Sequence, residues 1–380
     1  MKRIAGIVLG IVLFLISVFF YNAYLDSKIT ENTEAVRNHR TVERFMSREV
    51  ARLVMDENTL PVFGSSELCS LKDYNTEVSS FINSHDMNIM TIGGGYFQSL
   101  SHTMALGAIE EDIESRTVAL FVSPQWFGTD GIGAEAFASR FSEDELLGFL
   151  ENKKISKEKK QYVLNRATSL LASSPVQQGR VKKYADSCNN IISVNTLYRS
   201  VMSAFWKVKA KYNVVKQIDD MSFNLPEVDL ENMDWESMLQ LAEKQGEEAC
   251  TNNDFGIYDE YWDTYVKDTY EQGEVTEKWQ IFTESVEYDD LRCFLDVAKE
   301  LEIRVLLVSV PVNEKWYSYQ GMLCDQYYRN IYSISQEYPN VELIDMTVYE
   351  NEKYFLKDIM HLGWKGWAMI NEELYKRFAE

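Results

Sequence analysis

Leu60-Pro-Val-Phe-Gly-Ser-Ser-Glu67 is the stretch on which the reading of this chain turns. A short apolar run that ends in Gly64-Ser65-Ser66 reads as a buried strand delivering a tight turn. Four further runs share its character. Met87–Gly93 stops at Gly93-Gly94-Gly95, Thr117–Ser123 at Pro124, and Ile303–Val310 at Pro311; Val341–Asp345 is the fifth. Apolar, β-branched runs of this length, punctuated by Gly or Pro, suit parallel strands covered on both faces. Helical patterns over about 98–110, 286–302 and 320–338 separate several of them. Strand–helix alternation predicts an α/β fold with a doubly wound, mostly parallel five-stranded sheet. Ligands of such sheets bind beyond the carboxyl ends of the strands, so the ends near Gly64, Gly93, Ser123 and Pro311 are where chemistry is expected.

From about 130 to 285 strand runs vanish and helical spacing takes over. Val194, Leu197, Tyr198, Val201, Met202 and Phe205 recur at i, i+3, i+4 and form an amphipathic face. This block reads as a helical insertion in the α/β core. Within it, residues 153–160 carry five Lys against one Glu, and residues 227–260 carry eleven acids against one Lys. The plain reading of both is a solvated face. The sharper one turns the basic patch toward anionic lipid or polymer and the acidic stretch toward a cationic partner.

Ahead of all this, Lys2 and Arg3 are followed by 18 uncharged residues, Ile4 to Tyr21. At 1.5 Å per residue the run reaches roughly 27 Å, close to the hydrocarbon thickness of a bilayer. It exceeds a signal-peptide apolar core of about 7–15 residues, and no A-x-A cleavage pattern follows. A retained single-pass anchor is therefore expected in preference to a cleaved signal. Positive charge on the near side predicts a cytoplasmic N-terminus. The expected division is a tip and transmembrane anchor over 1–25, a helical stalk over 26–57, and an extracytoplasmic α/β domain over 58–380.

Composition narrows the function. The 380 residues are 46% hydrophobic and 26% charged, as in a packed globular chain. With 38 basic against 59 acidic residues the net charge is −21, which argues against general nucleic-acid binding, where Lys and Arg must meet phosphate. Five scattered Cys, no CxxC and four His argue against a structural zinc site, and neither a metal nor a cofactor is expected.

Two segments carry the candidate chemistry. Ser66 sits where a strand turns into a helix, a place that can present a hydroxyl at the sheet edge with backbone N–H groups behind it. Taken alone, Ser65 or Ser66 could equally be a helix cap. At the other end of the chain, Asp358-Ile-Met-His361 precedes the last helical pattern. That spacing lets a carboxylate hold the imidazole N–H and fix its tautomer, leaving the second nitrogen to take a proton from a nucleophile. His39, His85 and His102 have no comparable setting.

A strand–Gly-Ser-Ser turn paired with a late Asp-x-x-His resembles the SGNH hydrolase superfamily. The resemblance puts Ser66 on the nucleophile, Asp358 on the orienting acid and His361 on the base, within a three-layer α/β/α fold. It implies oxyanion donors from the Ser66 amide and from the glycines after the second strand, Gly94 and Gly95. The superfamily's Asn after the third strand is missing; Gln125 offers its side-chain amide there instead. Ser65 replaces the usual Asp of the turn. The set Phe63-Gly-Ser-Ser-Glu-Leu68, Val122-Ser-Pro-Gln-Trp-Phe127, Pro311-Val-Asn-Glu-Lys-Trp-Tyr317 and Asp358-Ile-Met-His-Leu-Gly-Trp-Lys-Gly-Trp367 more narrowly resembles the DltD family, with the N-terminal anchor also matching. Asn313 and Trp316 then become candidate site-lining residues, loop packing being the other reading. The resemblance implies a role in D-alanylation of lipoteichoic acid in Gram-positive cell walls, by serine-dependent O-acyl transfer outside the membrane. Implied partners are a teichoic acid acceptor, a membrane-bound acyltransferase of the same pathway, the D-alanyl carrier protein as a further candidate, and the lipid bilayer. An esterase or thioesterase of the same fold, or a non-catalytic scaffold for the acyltransferase, are the competing readings.

Overall fold

The computed structural model describes residues 2–68, 84, 87–189, 192–221, 228–275 and 283–379. His85 and Cys69 lie outside them. Five strands form one sheet: β1 (Thr59–Phe63), β2 (Asn88–Ile92), β3 (Thr117–Val122), β4 (Arg304–Ser309) and β5 (Val341–Asp345). Their order is β2-β1-β3-β4-β5 and every pairing is parallel. Each strand falls on one of the five apolar runs.

Period-two alternation divides the strand side chains between two cores. Val118, Leu120 and Val122 of β3 join Phe63, Val305 and Leu307 on one face. Ala119 and Phe121 join Leu60, Val62, Leu306 and Val308 on the other. The first face is covered by α2 (Arg48–Val54), α3 (Ser99–Ile109), α4 (Glu143–Glu151) and α8 (Val286–Glu300), and the second by α11 (Trp364–Ala379). Residues apolar on both sides of a strand need both faces dry, so the three-layer α/β/α arrangement follows from the pattern.

Between β3 and β4 the described residues form no strand. This insertion includes α5 (Pro175–Asn189), α6 (Val194–Val215) and α7 (Trp235–Ala249). It is part of the main body: Phe137, Leu146, Leu147 and Phe149 belong to the first core. Two shorter elements, α9 (Glu314–Tyr319) and α10 (Asp325–Gln336), separate β4 from β5.

The N-terminal helix α1 (Lys2–Thr30) is long and apolar enough to cross a membrane, and none of its most apolar window is buried. Its last turns behave differently. Leu25 and Ile29 are fully buried, and Asp26 pairs with Lys211 of α6 at 2.5 Å. The stretch expected as a stalk is helical, but it does not stand apart. Val36, Val50 and Val54 belong to the first core, and Arg48 binds Asp144, Glu151 and Ser203. Apolar spacing at these positions reads equally as a free helix or as one docked on a domain, and burial of the apolar face decides for docking.

Candidate active site

All five strands point the same way, so their carboxyl ends share one edge. Backbone bonds tie the segments beyond the strands. Gly64 N–H donates to Ile92 O at 3.2 Å, Val310 N–H to Val122 O at 3.1 Å, and Met346 N–H to Ser309 O at 3.0 Å. Gly93 is held at φ +128°, and a Cβ there would lie 1.9 Å from Gly64 O. Only glycine lets the first and second turns touch in this way.

Ser65 and Ser66 part company on this edge. Ser65 is buried and its hydroxyl donates to Gly94 O at 3.3 Å, pinning the first turn to the second. Ser66 is half-buried and opens the single-turn helix Ser66–Leu68. Among the described residues its hydroxyl has no partner, and the N–H groups of Ser66, Gly94 and Gly95 donate to no backbone acceptor. Unspent N–H groups beside a serine are the material of an oxyanion site.

Gln125 stands at the end of β3. Ser123 Oγ donates to its Oε1, while Nε2 is buried without a partner. Its amide N–H₂ is therefore free to donate on the same edge. Asn313 is differently employed. Its Oδ1 accepts Trp316 N–H at 3.0 Å, capping α9, and its Nδ2 donates to Phe255 O at 2.7 Å. Trp316 is buried with Ile257, Trp262, Val266, Val312 and Tyr317. Both residues hold the insertion against the end of β4, which is the packing reading.

The Asp358–His361 loop is closed at its base by a Leu356–Leu362 bridge and by Lys357 N–H donating to His361 O at 2.9 Å. Asn313 N–H donating to Ile359 O at 2.9 Å ties it to β4. Within the loop, Asp358 is buried and accepts three bonds: from Met360 N–H at 2.9 Å, from His361 N–H at 2.7 Å, and on its other oxygen from His361 Nδ1 at 2.8 Å. An acceptor-only carboxylate makes Nδ1 the protonated nitrogen, so Nε2 is the basic one. Among the described residues Nε2 is buried and unpartnered. His102, by contrast, lies buried among Phe63, Phe97 and Trp126, and burial pushes its pKa down to about 3, which keeps it neutral.

Two site residues were not singled out from sequence. Glu67, next to Ser66, is almost fully buried. Burial raises its pKa to about 7, opposed by the Glu67 and Ser65 amides and by the nearby His361 imidazole. That long-range influence agrees with both segments lying on the one sheet edge. Glu67 was legible only as part of the turn. Tyr258 is the second. Its N–H donates to Lys357 O at 2.8 Å, its hydroxyl accepts Trp364 N–H at 3.0 Å, and its ring stacks on Trp364 at 4.7 Å. The insertion thus clamps the His361 loop. Gly363 was the available signal, since a Cβ there would lie 2.7 Å from the Tyr258 hydroxyl.

The basic stretch 153–160 sits at the opposite edge. Lys154 pairs with Glu110, which also binds Arg116 just before β3. Lys159 pairs with Asp296, and Lys160 donates to Asn152 O. A patch at the amino edge of the sheet, with three of its five lysines engaged internally, does not face the site. In the acidic stretch, Glu243 joins Glu352 in pairing with Lys365 of α11, so part of that charge is also internal. Among the described residues, no cluster of His, Cys, Asp and Glu is arranged to hold a metal ion.

Comparison with known proteins matches residues 37–379 to the family model described as DltD protein. The chain is 25% identical to Protein DltD of Bacillus subtilis (strain 168) over 403 residues, covering 99% of this chain and 98% of that one. It is 25% identical to Protein DltD of Staphylococcus aureus over 381 residues, covering 96% and 92%. A third relative, Protein DltD of Lacticaseibacillus rhamnosus, is 24% identical over 335 residues, covering 84% and 77%.

Proposed function

Because this chain belongs to the DltD family, we propose that it is a membrane-anchored, extracytoplasmic Ser–His–Asp acyl-transfer enzyme acting in D-alanylation of lipoteichoic acid. Family membership supports the pathway. The observation that carries the chemistry is the three-bond grip of Asp358 on its loop, which leaves His361 Nε2 unpaired among the described residues.

In this scheme Ser66 Oγ attacks the carbonyl of a D-alanyl ester or thioester, and His361 Nε2 takes its proton. The negative charge passing to the carbonyl oxygen is met by N–H donors from Ser66, Gly94 or Gly95 and by the Gln125 amide. As the tetrahedral intermediate collapses, the donor's alcohol or thiol leaves with the proton from His361, and a D-alanyl ester remains on Ser66. A hydroxyl of the teichoic acid then attacks, His361 again taking and returning the proton. Asp358 holds the imidazole and stabilises its cationic form without itself being protonated. The D-alanyl group reaches this edge by way of the membrane-bound acyltransferase of the pathway. With α1 spanning the bilayer and the cytoplasm on the side of Lys2 and Arg3, the sheet edge is presented outside the cell.

Complementation of a null strain tests the reading. Wild type restores base-labile D-alanine on the wall polymer; Ser66→Ala, present in the membrane at the same level, is expected to restore none. Full D-alanylation by Ser66→Ala would replace this reading with a scaffolding role.

A further inference from the structure

Helix α6 is docked along one face and bare along another. Ser203, Ala210, Lys211 and Val214 are buried, whereas Val194, Leu197, Val201 and Phe205 are 84%, 68%, 58% and 52% exposed. Their spacing of three or four residues puts them in one stripe, and Ile192, just before the helix, is 94% exposed. Single exposed apolar residues are ordinary, but a continuous stripe along a helix marks a surface that something covers.

The contacts of α6 with the N-terminal segment say on which side that cover lies. Asp26 of α1 pairs with Lys211 of α6, and just beyond the two helices His39 bonds Gln217. These contacts bring α6 beside the membrane-proximal end of α1. Tyr21, the end of the uncharged run, is five residues before Asp26, and Phe205 is six before Lys211. At 1.5 Å per residue these are offsets of roughly 8 and 9 Å, so Phe205 and the end of the span both lie within about 10 Å, along their helices, of the same ion pair.

Charge selects the occupant. Residues 175–217 carry eight basic side chains and one acid in a chain of net charge −21. Arg180, Lys207 and Lys211 pair internally with Glu143, Glu49 and Asp26. Lys182, Lys183, Arg199 and Lys209 have no acidic partner among the described residues, and Lys183 and Lys209 lie over the rings of Tyr198 and Tyr212. An apolar stripe flanked by Lys, Arg and Tyr, near where an anchor leaves the hydrocarbon, has the make-up of an interfacial helix on anionic lipid.

We propose that α5 and α6 form a second membrane contact. The stripe from Ile192 to Phe205 lies at the headgroup–acyl boundary of the outer leaflet, and the unpaired lysines meet lipid phosphates. With α1 as the first attachment point, this second one fixes the tilt of the domain, and hence of its sheet edge, relative to the bilayer. The inference rests on the reading of α1 as an anchor.

The full-length protein, alone in vesicles of equal parts phosphatidylglycerol and phosphatidylcholine carrying a photoactivatable lipid, provides the test. Peptide mapping after illumination is expected to find lipid adducts in 4–21 and in 192–205. The peptide containing 146–150, which is buried in the core, serves as the unlabelled control. The variant L197D/V201D/F205D, altered only at exposed positions, should lose the second set of adducts and keep the first. Adducts in 4–21 with 192–205 at the control level would overturn the proposal and leave the anchor standing. Adducts in 192–205 only after the membrane acyltransferase is added would assign the stripe to that protein and overturn it likewise. Absence of both sets would overturn the anchor and this inference together.

Discussion

Glu67 ties the chemistry of the site to pH. Its carboxyl is raised from an ordinary 4.5 to about 7, chiefly by burial. The folded state therefore holds this proton over a range in which the unfolded chain has lost it. Its contribution to stability is intact below pH 4.5 and falls as pH rises through about 7, above which the group is ionised in both states. At 1.36 kcal/mol per unit the loss amounts to about 3 kcal/mol. Glu67→Gln removes this dependence, so denaturant melts at pH 4.5 and pH 8 should show the variant gaining about that much on wild type, other carboxyls cancelling in the difference. An unchanged gap between the two proteins would mean that the carboxyl is already satisfied. The Asp358–His361 pairing was legible because it needs fixed neighbours in sequence, an acid three residues before an imidazole, and Ser66 stood out as a candidate by its place in a Gly-Ser turn. Glu67 was not, because its character comes from burial, which one sequence does not display. The capping role of Asn313 was hidden for a similar reason, since its partner Phe255 lies far away in the chain.

At the scale of elements, the sheet was the readable part. β1 to β4 are short apolar runs with a stop residue and nearly all their side chains are buried, so no polar alternation obscures the pattern; β5 carries less of both signals. The insertion was legible only as helical, because an amphipathic face shows that a helix is covered without showing by what. This is why Tyr258, reaching across to Trp364, could not be placed. The stop residues are themselves structural. Gly93→Ala would set a Cβ 1.9 Å from Gly64 O at a φ that side chains avoid. The first and second turns would have to separate, at a cost of about 3 kcal/mol or more. Thermal melts should show the loss, and Ser66 should become less reactive as its turn shifts. A Gly93→Ala protein with wild-type stability would mean that the turns do not touch as described.

For the molecule as a whole, the distribution of charge matters more than its sum. A net charge of −21 is awkward for an enzyme of an anionic polymer, and the lysine-rich stretch 153–160 invited use as the offset. The fold gives it another place, at the amino edge of the sheet and largely paired. Lys153→Glu with Lys157→Glu should therefore leave D-alanylation in the complemented strain unchanged. A marked fall would return that face to polymer binding. The basic surface proposed to meet lipid, on α5 and α6, went unread in sequence, where only the amphipathic face of 194–205 was legible, because the docking of α1 onto α6 rests on contacts between residues distant in sequence.

The central claim is that Ser66 is a nucleophile made reactive by His361. A fluorophosphonate probe, followed by peptide mass spectrometry on the full-length protein in membranes, tests it most directly. Wild type should be modified at Ser66. His361→Ala should lose the modification, and Asp358→Asn should slow it by roughly a hundredfold or more, since the imidazole loses its orientation and tautomer. Modification of Ser66 at the same rate in wild type and His361→Ala, or none at all in folded wild type, would contradict the claim.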